Sequence, residues 1–241
     1  AALTFTTRAL DNLTGGQILS GGSLNLNLPQ FTNGGLVQAS QDMTLTTGSF
    51  DNLGTLSAGA LNLNVAQQLN NQSGGKLLAT RQLSSQSASL TNNGVLAAMS
   101  VELTSGQIDN NGILQGDSAL GLHTPRLNNL VNGQIISGSS LNLSIPQMVN
   151  LGLMSVKEAL VLSGSTLDNQ GTLQGSRVGL SFSGDVVNRG NARLVAQKDL
   201  TLSAASLNNQ GTLAGDSVNI ITNLLTNVGL LQGNSALALN S

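Results

Sequence analysis

Apolar and polar residues alternate along this chain in short runs that glycine and asparagine interrupt. Around Asn52 the apolar or small positions show the pattern: Phe50, Leu56, Ala58, Leu61 and Leu63. Polar residues, mostly Thr, Ser, Asn and Gln, lie between them. A period of two over runs of about 4–6 residues indicates half-buried β-strands, and Asn, Gly, Ser and Thr all disfavour helix interiors. The pattern therefore predicts an all-β chain built from short strands.

One phrase recurs along the whole chain: an apolar residue, an asparagine two positions later, a glycine, and a further apolar residue. Twelve asparagines anchor its copies: Asn12, Asn33, Asn52, Asn71, Asn92, Asn110, Asn129, Asn150, Asn169, Asn188, Asn209 and Asn227. Successive anchors are 18–21 residues apart, and each anchor of the first half recurs 117 residues later. The chain therefore contains a gapless internal duplication, and a fixed short period is the signature of a repeat architecture.

A unit of this size with two or three short strands cannot bury its own apolar face, so neighbouring units must stack. The sequence predicts a parallel β-helix (solenoid) of about 12 coils, which at ~4.8 Å per coil would extend on the order of 57 Å. We interpret residues 1–241 as a single β-helix segment, duplicated at about residues 10–126 and 127–241. Because neither end shows the atypical cap that closes a repeat array, we expect a fragment of a longer protein.

The anchor asparagine has a physical role in this interpretation. A coil corner needs backbone bends, which Asn tolerates, and stacked amides can bond free backbone groups and each other. Small inward residues are expected to mark tight corners: Ala58, Ala98, Gly116, Ala196 and Gly215. In every third coil the next apolar residue moves from four to six positions after the anchor, which predicts a two-residue bulge. The displaced residues are Ile18, Leu77, Ile135 and Leu194.

The composition narrows the range of functions. Charged residues are 8% of the chain and the net charge is -2, so there is no footprint for nucleic acid or an anionic membrane. The absence of Cys excludes a disulfide framework and a thiolate metal site. No stretch approaches the ~18 apolar residues of a membrane helix. The Gly-Gly pairs lack the Lys-Ser of a phosphate-binding loop, and the regular Asp of calcium-binding β-rolls is missing, so we expect no cofactor and no metal.

Paired carboxylates can cleave polysaccharides in β-helix proteins, and four Asp residues share one column of this chain. Asp11, Asp51, Asp109 and Asp168 each precede an anchor asparagine, and the nearest two are two coils apart, on the order of 10 Å. A retaining glycosidase needs about 5–5.5 Å between its carboxyl groups, so we interpret these residues as turn-forming and assign no catalytic residue. His123 is the only histidine, and we expect it in a surface turn.

One pattern of basic residues is preserved by the duplication. Lys76 and Arg193 are 117 residues apart, as are Arg81 and Lys198, and Arg189 lies beside the second set. These five residues are candidates for binding an anionic glycan or another partner. The alternative is charge placed for solubility on a neutral surface. Outward Asn and Thr beside the strand leucines are too mixed for the regular threonine grid of an ice-binding face.

The repeated phrase resembles the haemagglutinin repeats of filamentous haemagglutinin-like exoproteins. Clear copies are Leu167-Asp168-Asn169-Gln170-Gly171-Thr172-Leu173 and residues 207–213. This group of exoproteins includes contact-dependent growth inhibition effectors. The resemblance covers essentially the whole chain. It implies a right-handed parallel β-helix in a very large protein that two-partner secretion exports through an outer-membrane transporter. It further implies a location outside the cell, secreted or on the surface of a Gram-negative bacterium.

Three functions are compatible with the sequence. The favoured one is a structural shaft segment of a secreted exoprotein used in adhesion or in contact-dependent toxin delivery, with no enzymatic activity. The second is a binding module, in which the bulged coils or the basic residues engage a host-cell glycan or a bacterial surface receptor. The third is a polysaccharide-active β-helix enzyme.

Overall fold

A computed structural model describes residues 3–240, and the chain forms two compact units, residues 1–124 and residues 125–241. Residues 3–240 form strands and the turns between them. The predicted single segment with a duplication boundary near residue 126 stays a prediction, and its outer limits at residues 1 and 241 lie outside the described residues. No helix in the described part of the chain is long and apolar enough to cross a membrane.

The first unit contains thirteen strands. They are β1 (Leu3–Thr6), β2 (Leu10–Asn12), β3 (Gln17–Ser20), β4 (Leu24–Asn33), β5 (Leu36–Ala39), β6 (Asp42–Asn52), β7 (Thr55–Val65), β8 (Gln68–Asn71), β9 (Lys76–Ser87), β10 (Ser89–Asn92), β11 (Val95–Ser105), β12 (Ile108–Asn110) and β13 (Ile113–His123).

The second unit contains fourteen strands. They are β14 (Arg126–Asn129), β15 (Gln134–Ser137), β16 (Leu141–Ser144), β17 (Gln147–Asn150), β18 (Leu153–Val156), β19 (Ala159–Gly164), β20 (Thr166–Asn169), β21 (Thr172–Gly175), β22 (Arg177–Phe182), β23 (Asp185–Asn188), β24 (Arg193–Ala196), β25 (Asp199–Asn209), β26 (Thr212–Asn227) and β27 (Leu230–Asn240).

Strands in both units pair in parallel with the equivalent strands of the preceding and following coils. In the first unit, Leu24 of β4 lies opposite Met43 of β6, which lies opposite Leu61 of β7. In the second unit, β16, β19, β22 and β25 stack in the same way. The predicted parallel β-solenoid is confirmed, with about 13 turns in place of the predicted 12 because β1 adds a first partial turn. The right-handed sense stays a prediction.

The core of each unit consists of apolar columns that run from coil to coil. One column of the first unit contains Phe31 and Phe50, whose rings stack with centroids 5.3 Å apart and planes 5° apart. Leucine dominates the other columns, and most members have 0% exposure. Full burial of a Leu side chain contributes roughly 1.5–3 kcal/mol to the stability of the fold. Each coil adds three or four such residues to the columns, and they are buried by contact with the adjacent coils. A coil is therefore stabilised mainly by its neighbours.

Many strands are longer than the predicted 4–6 residues. β6, β7 and β11 have 11 residues each, and β26 has 16. The expectation of uniformly short strands is wrong for these elements because the backbone keeps its coil-to-coil hydrogen bonds through a corner. Small inward residues allow this bend, since the pairing register shifts directly after Ala58, Ala98 and Gly215. These positions are among the predicted tight corners.

Ser85 is a polar residue in an otherwise apolar column. Its register neighbours are Leu63 and Leu103, its exposure is 5%, and its hydroxyl is buried without a hydrogen-bond partner. The position 117 residues later is Leu202, which fills the same column of the second unit.

We expect Ser85→Leu to raise the free energy of unfolding by about 1–3 kcal/mol, because it removes an unsatisfied hydroxyl and adds buried apolar area. Urea unfolding followed by circular dichroism measures the change. Ser84→Leu is the control, since that side chain is half-buried and bonds outward to Asn62. A lower midpoint for Ser85→Leu would show that the column has no room for leucine at this coil.

Candidate functional site

The anchor asparagines form a buried hydrogen-bonded ladder in each unit. Each Nδ2 donates to Oδ1 of the next anchor over 2.7–2.9 Å. The ladders connect Asn12, Asn33, Asn52, Asn71, Asn92 and Asn110 in the first unit, and Asn129, Asn150, Asn169, Asn188, Asn209 and Asn227 in the second. Ten of these side chains have 0% exposure, Asn12 has 7%, and Asn227 is exposed.

The second Nδ2 hydrogen of each asparagine serves the backbone of the corner. Asn52 donates to Gly54 O at 3.1 Å and to Lys76 O at 3.3 Å, in addition to Asn71. Asn92 accepts a bond from Gly94 N at 3.2 Å. A buried primary amide offers two donors and an acceptor, so this arrangement uses nearly all of its capacity. The ladder therefore adds a side-chain bond at corner carbonyls such as Gly54 O, which also accepts a backbone bond from Lys76 N at 2.8 Å.

A glycine column lies beside the asparagine ladder, and its role was not predicted from the sequence. Gly35, Gly54 and Gly94 each come two residues after an anchor, and the equivalent glycine comes four residues after the anchor in bulged coils, as at Gly75. A Cβ at Gly54 would lie 2.7 Å from Gly35 N and closer still to the Gly35 carbonyl oxygen. The same clash with the preceding coil recurs at Gly94, Gly112, Gly152, Gly171, Gly211 and Gly229. The fixed offset from the anchor was the signal that could have revealed this column.

The predicted two-residue bulges are β-turns. Gly16 N donates to Leu13 O at 2.8 Å, and the equivalent bond recurs at Gly75, Gly133 and Ala192. In the first unit the third turn residue is Gly15 or Gly74, with φ of 83° and 84°, as a type II turn requires. The second unit has Asn132 and Asn191 there, and no residue other than glycine has a positive φ in the described chain. The duplicated turns thus share a position but differ in backbone conformation.

The five candidate basic residues lie on exposed positions, and two of them bind carboxylates of their own unit. Arg81 Nη2 lies 2.5 Å from Asp42 Oδ1. Arg189 binds Asp168 with two bonds of 2.8 Å, from Nε and from Nη2. These hydrogen bonds and the carboxylate charge raise the pKa of Arg189 above its ordinary value, so it stays cationic. The remaining three are Lys76, Arg193 and Lys198. Their proposed role in binding stays a prediction.

Asp51, Asp109 and Asp168, three of the four carboxylates that precede anchors, bind neighbouring side chains. Asp11 and Asp51 lie two coils apart, with Thr32 in register between them. Asp51 accepts a bond from Asn70 at 2.9 Å, and Asp109 accepts one from Gln107 at 2.7 Å. Within residues 3–240, no group of three or more His, Asp or Glu side chains could hold a metal ion.

His123 does not lie in a turn, so the expectation from the sequence is wrong. It ends β13 opposite Thr104 of β11, because the backbone stays paired with the preceding coil up to this residue. Its exposed ring contacts the carboxylate of Glu102, which lies in register with Gly121.

The repeats that form these corners match a known protein family. The sequence model of the protein family described as "Haemagglutinin repeat" matches residues 1–98, 95–145 and 147–241. The chain belongs to the haemagglutinin repeat family. The match extends over both units, so the same kind of repeat accounts for the asparagine ladder and the glycine column in each.

One relative is the protein named Deoxyribonuclease CdiA from Dickeya dadantii (strain 3937). It is 55% identical to this chain over 62 residues, which are 25% of this chain and 2% of that protein. The chain thus matches only a small fraction of the length of this curated relative. No match was found among the solved structures.

The corner of this haemagglutinin repeat suits a scaffold. Asparagine supplies bonds along the stacking direction and glycine lets consecutive coils approach, so the two columns act on the same contact. The asparagine side chains other than Asn227 are buried, and the glycines are buried or half-buried, so the two columns offer few side-chain groups to solvent. The side chains that can meet a partner are those of the turns and of the outward strand positions.

Proposed function

We propose that this chain is a shaft segment of a large secreted exoprotein on the surface of a Gram-negative bacterium. The observation that carries the proposal is the continuity of the asparagine ladder within each unit, with each amide bonded to the amide of the next coil. Such contacts are local, so coils can be added without changing the design of the unit. Membership of the haemagglutinin repeat family supports the same role.

The mechanism is mechanical. Each coil adds about 4.8 Å along the stacking direction and holds its neighbours by backbone bonds, apolar columns and the amide ladder. Because every coil repeats the same bonds, the segment can set the distance between whatever lies before and after it. Substrate turnover is not part of this role.

We propose that the protein reaches the surface by two-partner secretion through an outer-membrane transporter. Two features support this route. The chain has no Cys, so no disulfide has to form before or after export. The contacts are between sequence neighbours one coil apart, so a chain that emerges gradually can fold coil by coil. Low sequence separation of contacts favours such folding.

The proposed role excludes an enzymatic activity for this segment. The name of the Dickeya relative describes a deoxyribonuclease, and the similarity covers only 2% of that protein. The two-coil separation of Asp11 and Asp51, and the bond that Asp51 accepts from Asn70, support a structural role for these carboxylates. A binding role for the basic residues remains the alternative, although Arg81 and Arg189 are already paired with acids.

Deletion of one duplicated block tests the shaft role. We expect removal of residues 10–126 from the full-length protein to shorten the surface fibre by about 29 Å, six coils at the strand spacing, and to leave export intact. Electron microscopy of fibres gives the length, and surface labelling gives the export level.

A second copy of residues 10–126 inserted in the same register should lengthen the fibre by the same amount. The control deletes ten residues fewer, which breaks the columns and should impair folding. An unchanged fibre length after the in-register deletion would contradict the proposal.

A further inference from the structure

The first unit has a surface groove that neither the scaffold role nor the basic residues use. Thr46, Asn64 and Gln86 lie in register on three successive coils, and all three side chains are exposed. They form one wall of a groove of about 450 Å³ whose opposite side is formed by the small residues Ala66 and Ala88. The floor consists of buried Thr47, Val65 and Ser87. The groove therefore crosses coils along the stacking direction.

The lining of the groove selects the chemistry of a ligand. No charged side chain lines it, and its wall carries a hydroxyl and two amides. Its backbone is already occupied, since Ala66 N donates to Thr47 O at 2.9 Å and Ala88 N donates to Gln67 O at 2.8 Å. An extended peptide would seek free backbone groups, which this groove does not offer. A neutral molecule rich in hydroxyls meets the side-chain donors and acceptors that remain.

The polar surface continues beside this groove. A second depression of about 290 Å³ is lined by Asn64 and Gln86 from the same wall and by Ser84 and Glu102 from the next outward column. Ser84 donates to Asn62 at 2.7 Å, so that column is partly ordered before any ligand arrives. Polar groups repeat once per coil, about every 4.8 Å, which suits a linear polymer with hydroxyls on every unit.

Comparison of equivalent positions in the two units shows which residues of this surface the scaffold does not need. The register equivalents of Thr46, Asn64 and Gln86 in the second unit are the short side chains Ser163, Ser181 and Ser203. Val65 is replaced by Phe182, a larger side chain that is 4% exposed and would lie 3.3 Å from a Cβ at Gly164. The anchor Asn and corner Gly positions are retained in both units, whereas the side chains of this outward wall are not. Stacking therefore does not require the amides of this wall.

We propose that this groove of the first unit binds a neutral linear glycan that lies along the stacking direction, with Asn64 and Gln86 as its principal hydrogen-bonding residues. The proposal is independent of the shaft role, because a shaft without this site would still set distance. It also differs from binding through the basic residues, which would require an anionic ligand.

The test measures binding of the full chain to an array of neutral linear hexasaccharides: cellohexaose, maltohexaose and chitohexaose. A heparin hexasaccharide and an uncharged extended peptide are comparators. We expect binding to at least one neutral hexasaccharide, with a dissociation constant that changes little between low and high salt. The double variant Asn64→Ala with Gln86→Ala should raise that constant about tenfold, as expected for two lost hydrogen bonds.

The matched control is Ser181→Ala with Ser203→Ala at the equivalent positions of the second unit, which should bind like the unaltered chain. Val65→Phe, which copies the second unit, should also weaken binding. Unfolding midpoints of all variants show whether the fold is kept. Binding of no neutral hexasaccharide, binding of only heparin or the peptide, or equal loss in the control would each overturn the proposal.

Discussion

Gly54→Ala is expected to destabilise the first unit by about 3 kcal/mol or more, the upper range for overpacking a well-filled interior. The added Cβ would lie 2.7 Å from Gly35 N and inside contact distance of the Gly35 carbonyl oxygen. Both neighbours are backbone atoms, so a side-chain rotation cannot relieve the clash. The coils on either side would have to separate, and that movement would stretch the ladder bond of Asn52 as well. Chemical unfolding followed by circular dichroism measures the loss.

Gly21→Ala is the matched control for this prediction. Gly21 is exposed in the same unit, a Cβ there meets nothing within 4 Å, and its φ lies outside the left-handed region. Glycine replacement at such a site is expected to be neutral or to stabilise by about 0.4–1 kcal/mol, since it restricts the unfolded chain. Equal unfolding midpoints for Gly54→Ala and Gly21→Ala would mean that the coils can accommodate a Cβ at Gly54. The glycine column would then not be required for packing.

Asn52→Leu is the second change with a large expected effect, a loss of roughly 3–5 kcal/mol, because the buried amides of Asn33 and Asn71 each lose a ladder partner. Asn52 accepts a bond from Asn33 and donates to Asn71, Gly54 O and Lys76 O. Leucine adds apolar volume but supplies none of these bonds, and a buried polar group without a partner costs more than a hydrogen bond contributes. Thermal and urea unfolding should both show the loss.

The control for the ladder is Asn227→Leu, because Asn227 stands at the end of the same kind of column but is exposed. Water can replace its bonds to Asn209 and Gly229, so we expect a change within about 0.5 kcal/mol. A small effect at both positions would refute the idea that the ladder stabilises the stack. A large effect at Asn52 with full retention of strand content would localise the damage to the corner.

Sequence reasoning reached the fold because the pattern is local and repeats. The two-residue alternation around Asn52 predicts strands, and the anchor spacing requires the same strand in every coil to lie beside its equivalent. Parallel pairing follows, since a chain that returns once per coil runs in the same direction each time. The asparagine column could be predicted for the same reason. Asn recurs at one position of every coil, and equivalent positions of successive coils lie on top of one another.

Contacts that depend on the path of the backbone could not be predicted from the sequence. Arg81 pairs with Asp42, 39 residues earlier, and Glu102 contacts His123. Both pairs follow from coil register and from which side of a strand each residue faces. The fixed offset from the anchor marks the glycine column in the sequence, but how closely the coils approach there is set by the backbone path.

The sequence by itself determined the repeat, the coil length, the apolar columns and the identity of the anchor, because burial acts on every coil in the same way. The tertiary structure alone decided three other features. One is the packing of each corner glycine against the preceding carbonyl. Another is the left-handed conformation of Gly15 and Gly74 in turns whose duplicates use Asn. The last is the groove lined by Gln86 and Ala88, which exists because stacking places the equivalent residues of three coils in register. Each depends on the spacing and direction of neighbouring coils, and those arise only when the coils are stacked.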